Sequence, residues 1–225
     1  MSHALIIGSN SDIALKIIEI LVKKKWRISL ASKNIDKIFK LSKDLELRNI
    51  KSAAYKIDLE KLDTFDNFIL NISNDINTII FTAGYLEKPE INKEKIDNIN
   101  YKGPKILLEK ILRNKKFNSI KNMVIISSVS ADRKNYKETS YSLSKFKLSN
   151  FTKIIQNRYT DINILEFKLG YVKTKMTKNL NLPFFLVSSP GFIARKIVYN
   201  LDKKKKIIYL PFYWKYILII YNFLK

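Results

Sequence analysis

An α/β fold, a doubly wound parallel sheet with helices on both faces, is the class that this sequence predicts, from three observations. Short apolar runs alternate with segments of helical periodicity over most of the chain. The connections between them are short, and consecutive parallel strands then need right-handed helical crossovers. Small or hydroxyl residues close several of the apolar runs, at Gly8, Ala83-Gly84 and Ser128, the strand ends where open sheets put their ligands.

Residues 4–7 predict the first strand and residues 15–25 the first helix. Between them Gly8, Ser9, Asn10, Ser11, Asp12 and Ile13 form a strand-turn-helix connection whose amides and helix dipole suit a dinucleotide pyrophosphate; an ordinary βα turn is the plainer alternative. Gly8 permits the turn. Asp12 and Ala14 stand where a three-glycine fingerprint has glycines, so Asp12 is expected to cap the helix and Ala14 to allow close packing. The second strand, residues 26–31, ends at Ser32-Lys33. A carboxylate at that point bonds a ribose hydroxyl whereas a cation receives a 2′-phosphate, so Lys33 favours NADPH over NADH.

A helix over 35–47, a strand over 52–57 ending at Asp58, a helix over 62–72 and a strand over 78–82 continue the alternation. After a turn containing Pro89, one long helix over 93–112 carries Asn100 and Gly103. Asn100 is either a surface amide or one that holds a water or braces a carbonyl. Residues 123–126 predict the fifth strand, 140–159 a helix, 162–167 the sixth strand, and 207–210 the last. The exit from the sixth strand, through Gly170 to Thr174, is expected over the same crevice as Gly8.

With 225 residues, 46% of them hydrophobic, the chain has material for one substantial core. We expect a single domain over 1–210, followed by an apolar aromatic segment over 211–225. The chain has no cysteine and one histidine, which removes disulfides, thiolate and histidine-cluster metal sites, and a cysteine nucleophile. His3, near the amino terminus, is not expected to build a Ser-His-Asp triad, and no metal site is expected. The amino terminus lacks the basic flank and long apolar core of a secretory signal, so a cytoplasmic location is expected. The net charge of +22 is the kind of excess that binds nucleic acid or anionic membranes. Only six of the basic residues are Arg, and Ile and Asn are abundant, so much of the charge is read as composition. No specific nucleic-acid binding is expected.

The chemistry concentrates at Ser128, Tyr141 and Lys145. Tyr141 and Lys145 are four residues apart, on one face of a helix, so a cation can sit one turn from a phenol. A phenol titrates near ~10, and a nearby cation favours its ionised form. The pair therefore reads as a tuned acid, although a solvated helix face would show the same spacing. Ser128 ends the fifth strand's apolar run, which aims a hydroxyl at the crevice.

Taken together, Gly8 with Ser11, Asp12 and Ile13, then Asp58-Leu59, Thr82-Ala83-Gly84, Asn100, Ser128, Tyr141 with Lys145, and Gly170 with Val172 and Thr174 resemble the short-chain dehydrogenase/reductase family over roughly 4–210. The resemblance implies a Rossmann-type sheet in which Tyr141 protonates a substrate carbonyl that Ser128 orients. It also implies that Lys145 lowers the Tyr141 pKa and holds the nicotinamide ribose, and that Asn100 supports a water of the proton relay. By the same resemblance Asp58 meets the adenine, Ala83-Gly84 lets the backbone approach the cofactor, Val172 and Thr174 meet the nicotinamide, and the protein is a homodimer or homotetramer. Leu169 departs from the proline usual before Gly170.

The carboxyl end pairs the basic run 203–206 with a segment rich in Trp and Tyr. It is too short to span a bilayer of ~30 Å and suits an interfacial anchor beside a basic patch; a core helix or a subunit interface would use the same residues. It resembles the ending of reductases similar to decaprenylphosphoryl-2-keto-erythro-pentose reductase. The expected function is thus an NADPH-dependent reductase of a keto sugar, free or polyprenyl-linked, in envelope polysaccharide synthesis in the cytoplasm or at the inner face of the plasma membrane. A reductase of a ketoacyl or other small carbonyl stands beside it, and a non-catalytic dinucleotide sensor and a nucleic-acid binder are the other classes.

Overall fold

A computed structural model describes residues 2–86, 92–204 and 206–224. The expected turn at Pro89 lies outside the described residues. Strand β1 (His3–Ile7) leads into α1 (Asp12–Lys23), β2 (Arg27–Ser32), α2 (Ile35–Leu47), β3 (Ser52–Lys56), α3 (Phe65–Asn71) and β4 (Thr78–Phe81). The second half holds α4 (Lys93–Asp97), α5 (Gly103–Arg113), β5 (Asn122–Ser128), α6 (Ser140–Arg158), β6 (Asn163–Leu169), β7 (Tyr171–Val172), β8 (Val187–Ser188), α7 (Pro190–Asn200), β9 (Ile207–Leu210) and α8 (Trp214–Leu224).

Seven strands form one sheet in the order β3-β2-β1-β4-β5-β6-β9, every pair parallel. Strands β7 and β8 form a separate pair. Because the sheet is buried on both faces, its inner strands read as continuous apolar runs, as in Ala4-Leu5-Ile6-Ile7. On one face Ile17 and Leu21 of α1, Ile38 and Leu45 of α2 and Ile193 and Ile197 of α7 meet alternate strand residues such as Ile6, Val124 and Phe167. On the other, Phe65 and Phe68 of α3, Leu107 and Ile111 of α5 and Leu148 and Phe151 of α6 meet Leu5, Phe81 and Ile125. The chain order reverses direction between β1 and β4, and it is there that the carboxyl ends of an open sheet leave a crevice.

Three local expectations are corrected. The cap of α1 is Ser11, whose hydroxyl accepts the Ala14 amide at 3.1 Å. Asp12 lies one residue inside, and its carboxylate instead accepts the Lys175 amide at 2.7 Å. The long helix over 93–112 is interrupted: α4 passes through a π-helical turn, Asn98–Lys102, before α5 begins. The wide turn accommodates Asn100, which is buried and bonded sideways, and π turns of this sort often accompany functional side chains. Finally, Lys203, Lys204 and Lys206 precede β9 whereas α8 follows it, about 13 Å further on at roughly 3.3 Å per residue. They are not one patch.

The carboxyl-terminal segment is joined to the body. Trp214 and Leu218 are buried against Val129, and the Asn222 amide donates to the Asp132 carbonyl at 2.8 Å while its oxygen accepts the Lys134 amide at 2.7 Å. Among the described residues no helix is long and apolar enough to cross a membrane.

Candidate active site

A cleft of about 390 Å³ opens over the carboxyl ends of β1, β4, β5 and β6. Its floor begins at Gly8, held at φ 88°. A Cβ there would lie 2.5 Å from the Ala83 nitrogen, so only glycine lets the turn after β1 pass so close to the exit of β4. The Thr82 hydroxyl donates to the carbonyls of Ile7 and Gly8 at 3.0 Å each, fixing the two exits together.

Asn10, Ser11, Asp12, Ile13, Lys33, Asp58, Leu59, Ala83, Gly84, Gly170, Val172 and Thr174 all line this cleft, as do Ser128, Tyr141 and Lys145. Ser9 does not. Its hydroxyl is buried and donates to the Ile6 carbonyl at 2.6 Å while accepting the Ala31 amide at 2.9 Å, so it ties β1 to β2 beneath the crevice. Asn100 also lies behind the wall. Its side-chain oxygen accepts the Tyr85 amide at 2.7 Å, and its nitrogen donates to the Tyr85 carbonyl at 2.8 Å and the Ser144 hydroxyl at 3.2 Å. Ser144 in turn donates to the Tyr141 carbonyl at 2.7 Å. The brace reading of Asn100 thus fits the geometry, with the peptide after Gly84 on one side and the start of α6 on the other.

Thr139 caps α6 by accepting the Ser142 amide at 3.1 Å, which starts the helix just before Tyr141. The Ser128 hydroxyl ends β5 and accepts from the Ser130 amide at 3.2 Å and the Ser130 hydroxyl at 3.0 Å. These bonds use its acceptor capacity and leave its own proton for a ligand or for Tyr141.

The electrostatics differ from the sequence expectation. Burial pushes the Tyr141 phenol above its ordinary value, with a hydrogen bond to Ser128 acting in the opposite sense. Burial also lowers Lys145 to about 8, and the negative charge of Glu166 opposes that fall. The Lys145 ammonium is 5.8 Å from the centre of the Tyr141 ring and 3.5 Å from the Ile126 carbonyl oxygen. Lys145 therefore does not hold the phenol below its usual range in the free chain, because removal from water penalises both charged forms at once.

At the other end, Lys33 is bound by Asp58 at 2.9 Å and Glu60 at 3.0 Å. Hydrogen bonds to those two carboxylates raise it above the ordinary lysine value. Glu60 was not anticipated; its signal was its position two residues beyond Asp58. Met176 and Lys175 are further lining residues that the exit strand's pattern did not announce. Glu166, buried in β6, accepts from Ser149 at 3.1 Å and is pushed up by burial. A charged residue inside an apolar run was the signal that could have found it.

His3 lies outside this cleft. It is buried in β1, with Nδ1 2.8 Å from Asp75 and Nε2 2.9 Å from Ser29. The three resemble a hydrolytic triad, but the Ser29 hydroxyl is buried within β2 and does not line the cleft. Among the described residues there is no cluster of metal-ligating side chains.

The family model for short chain dehydrogenases matches residues 2–183. The chain belongs to that family. Its members are oxidoreductases acting on an alcohol or carbonyl with a pyridine nucleotide, and this chain is an enzyme of that kind. An uncharacterized oxidoreductase of Staphylococcus aureus is 21% identical over 213 residues, covering 91% of this chain and 92% of that protein. The fold is shared with an actinorhodin polyketide ketoreductase solved with NADPH, at a TM-score of 0.78 and 16% identity over 93% of this chain and 95% of that one. It is shared equally with a 3-oxoacyl-[acyl-carrier protein] reductase of Brucella melitensis solved with NAD, at a TM-score of 0.78 and 19% identity over 96% and 97%.

Proposed function

We propose that the protein is an NADPH-dependent reductase of a carbonyl, and that the carbonyl belongs to a keto sugar, carried on a polyprenyl phosphate, in envelope polysaccharide synthesis at the inner face of the plasma membrane. The observation that carries the reductase reading is the convergence of Ser128, Tyr141 and Lys145 on the cleft that Gly8, Ala83 and Gly84 floor. A nicotinamide dinucleotide fits this cleft. Gly8 lets the turn after β1 pack directly on the exit of β4, and the amino end of α1 lines the cleft. The acid in that turn, Asp12, is already bonded to the Lys175 amide.

Bound there, the dinucleotide supplies the hydride. The chain's own residues do the rest. Tyr141 gives its phenolic proton to the carbonyl oxygen as charge develops on it. Ser128, whose hydroxyl proton is free to point into the cleft, donates to the same oxygen and fixes its position. Lys145 stabilises the phenolate left behind and would hold the ribose of the bound dinucleotide. Asn100 keeps the Tyr85 peptide and Ser144 in place, and through Ser144 the backbone of Tyr141. A carbonyl whose oxygen meets two hydroxyls, one of them backed by a buried cation, becomes a better hydride acceptor at its carbon.

The preference for NADPH rests on Lys33, which is 65% exposed at its side chain and offers a cation at the expected 2′-phosphate. Asp58 and Glu60 compete for it, so the preference is expected to be modest. The keto-sugar substrate is supported by the carboxyl-terminal resemblance. A ketoacyl substrate is the second reading, favoured by the two reductases that share the fold. A homodimer or homotetramer built on the long helices accompanies either.

The test is NADPH oxidation by the purified protein offered a keto sugar and, separately, a ketoacyl thioester. Turnover of the first alone supports the proposal; turnover of the second alone transfers it to fatty or polyketide carbonyls. Cofactor binding with no turnover of any carbonyl would point to a sensor instead.

A further inference from the structure

Two exposed apolar segments meet beside the mouth of the cleft. One is the stretch before β8, where Phe184 is 87% and Phe185 68% exposed; the same connection begins with Met176 and Thr177 in the cleft wall. The other is α8 with the turn before it. That helix buries Trp214 and Leu218, one turn apart, and leaves Phe212, Ile220, Phe223 and Leu224 in solvent. The segments touch, since Leu186 packs on the cluster of Trp214, Leu218 and Val129. Trp214 lies against Gly170, where an added Cβ would be 1.8 Å from the indole nitrogen. A helix that only covered a core would need one apolar stripe, and this one is apolar on its outer side as well.

The charge of this part of the chain says what covers it. Residues 211–224 hold one charged residue, Lys215, and no acid. Cations also border α8 from the loop after β5. The Arg133 guanidinium is 5.8 Å from the centre of the Tyr221 ring, the Lys134 amide is bonded to Asn222, and Lys137 is exposed in the same loop, whose two acids are Glu138 and Asp132, the latter paired with Lys168. Lys215 is exposed on α8 itself. A second copy would bring the same excess of positive charge to the contact and be repelled by it. An anionic surface would be attracted.

We infer that this face seats the protein on an anionic lipid bilayer, with the mouth of the cleft turned toward the membrane. The exposed aromatic and aliphatic side chains enter the headgroup boundary, and Arg133, Lys134, Lys137 and Lys215 meet the lipid phosphates. Attachment is peripheral. That a lipid-carried carbonyl then reaches the cleft without crossing water rests on the proposed reductase function; the docking itself does not.

The experiment is sedimentation of the full chain with phosphatidylcholine vesicles, with and without phosphatidylglycerol, at low and high salt. The parent should sediment with the anionic vesicles and be released by salt. A variant with Ile220→Ser, Phe223→Ser and Leu224→Ser, all exposed positions that should fold normally, should bind at least about tenfold more weakly. Lys134→Gln, Lys137→Gln and Lys215→Gln should each cost about fivefold at low salt. Absence of sedimentation, or sedimentation equal in parent and variants, would overturn the inference. So would a parent that is a stable dimer and becomes monomeric in the apolar triple variant, since the face would then be a subunit contact. Reduction of a water-soluble carbonyl should be equal in parent and variants. If that reduction is missing while vesicle binding persists, the reductase reading fails and the membrane contact stands.

Discussion

The Lys145 ammonium stands 5.8 Å from the centre of the Tyr141 ring, one turn further along α6. Both groups are withdrawn from water, and this decides their titration more than their mutual interaction does. Burial lowers Lys145 to about 8 and raises Tyr141, so near neutral pH the pair consists of a protonated phenol and a cation close to losing its proton. A protonated phenol is the form that a reductase needs.

The first prediction follows from that titration. Above about 8 Lys145 becomes neutral and no longer stabilises the phenolate, so carbonyl reduction should decline as the pH rises through about 8. Glu166 holds Lys145 up; Glu166→Gln should therefore move the decline to lower pH. A pH profile of kcat for both proteins checks this, and an unshifted alkaline limb would show that Glu166 only packs.

The same lysine has a stability signature. Its folded pKa lies below its unfolded value of 10.5. As pH falls from 10.5 to about 8 the unfolded chain takes up the proton first, so the folded state loses stability over that window and the loss is complete below it. Lys145→Met removes the contribution. Compared by denaturant unfolding, the variant should be more stable than the parent by up to a few kcal/mol at pH 7, with the difference shrinking toward pH 10.5, and it should be inactive.

Cofactor choice should respond to the carboxylates around Lys33. Glu60→Gln removes one of its two partners and should strengthen NADPH binding relative to NADH. Lys33→Asp should reverse the preference, because a carboxylate repels the 2′-phosphate. Fluorescence titration of the two nucleotides measures both ratios; identical ratios in parent and variants would remove Lys33 from the 2′-phosphate site.

Gly170→Ala should destabilise the protein by about 1–3 kcal/mol, because the new methyl group would collide with the Trp214 indole. The strain falls on the seat of α8, so limited proteolysis should cut the carboxyl-terminal segment sooner in the variant. Unchanged cleavage and an unchanged melting point would mean that Trp214 moves aside without cost.

The sheet was legible because its buried parallel strands leave unbroken apolar runs such as Met123-Val-Ile-Ile. What escaped was what depends on tertiary contacts. The π turn at Asn100 exists because the side chain is drawn to the Tyr85 peptide and Ser144, which no local spacing records. The direction of the Tyr141 shift depends on how deeply α6 packs. Ser9 had the right position for a cofactor contact but faces the wrong way. The coupling of Lys33 to Glu60 joins the ends of two strands, and the separation of the basic run from α8 follows from the length and direction of β9.

The central claim is that Tyr141 is the acid of a carbonyl reduction carried out in this cleft. It is tested most directly by single-turnover oxidation of NADPH with a keto substrate in the parent and in Tyr141→Phe, with nucleotide affinity measured on both. The account predicts a rate lower by about 10²–10⁴-fold in the variant, the range for loss of one general acid, with the nucleotide bound almost as tightly. A Tyr141→Phe protein that binds NADPH and reduces the substrate at the parent's rate would contradict it.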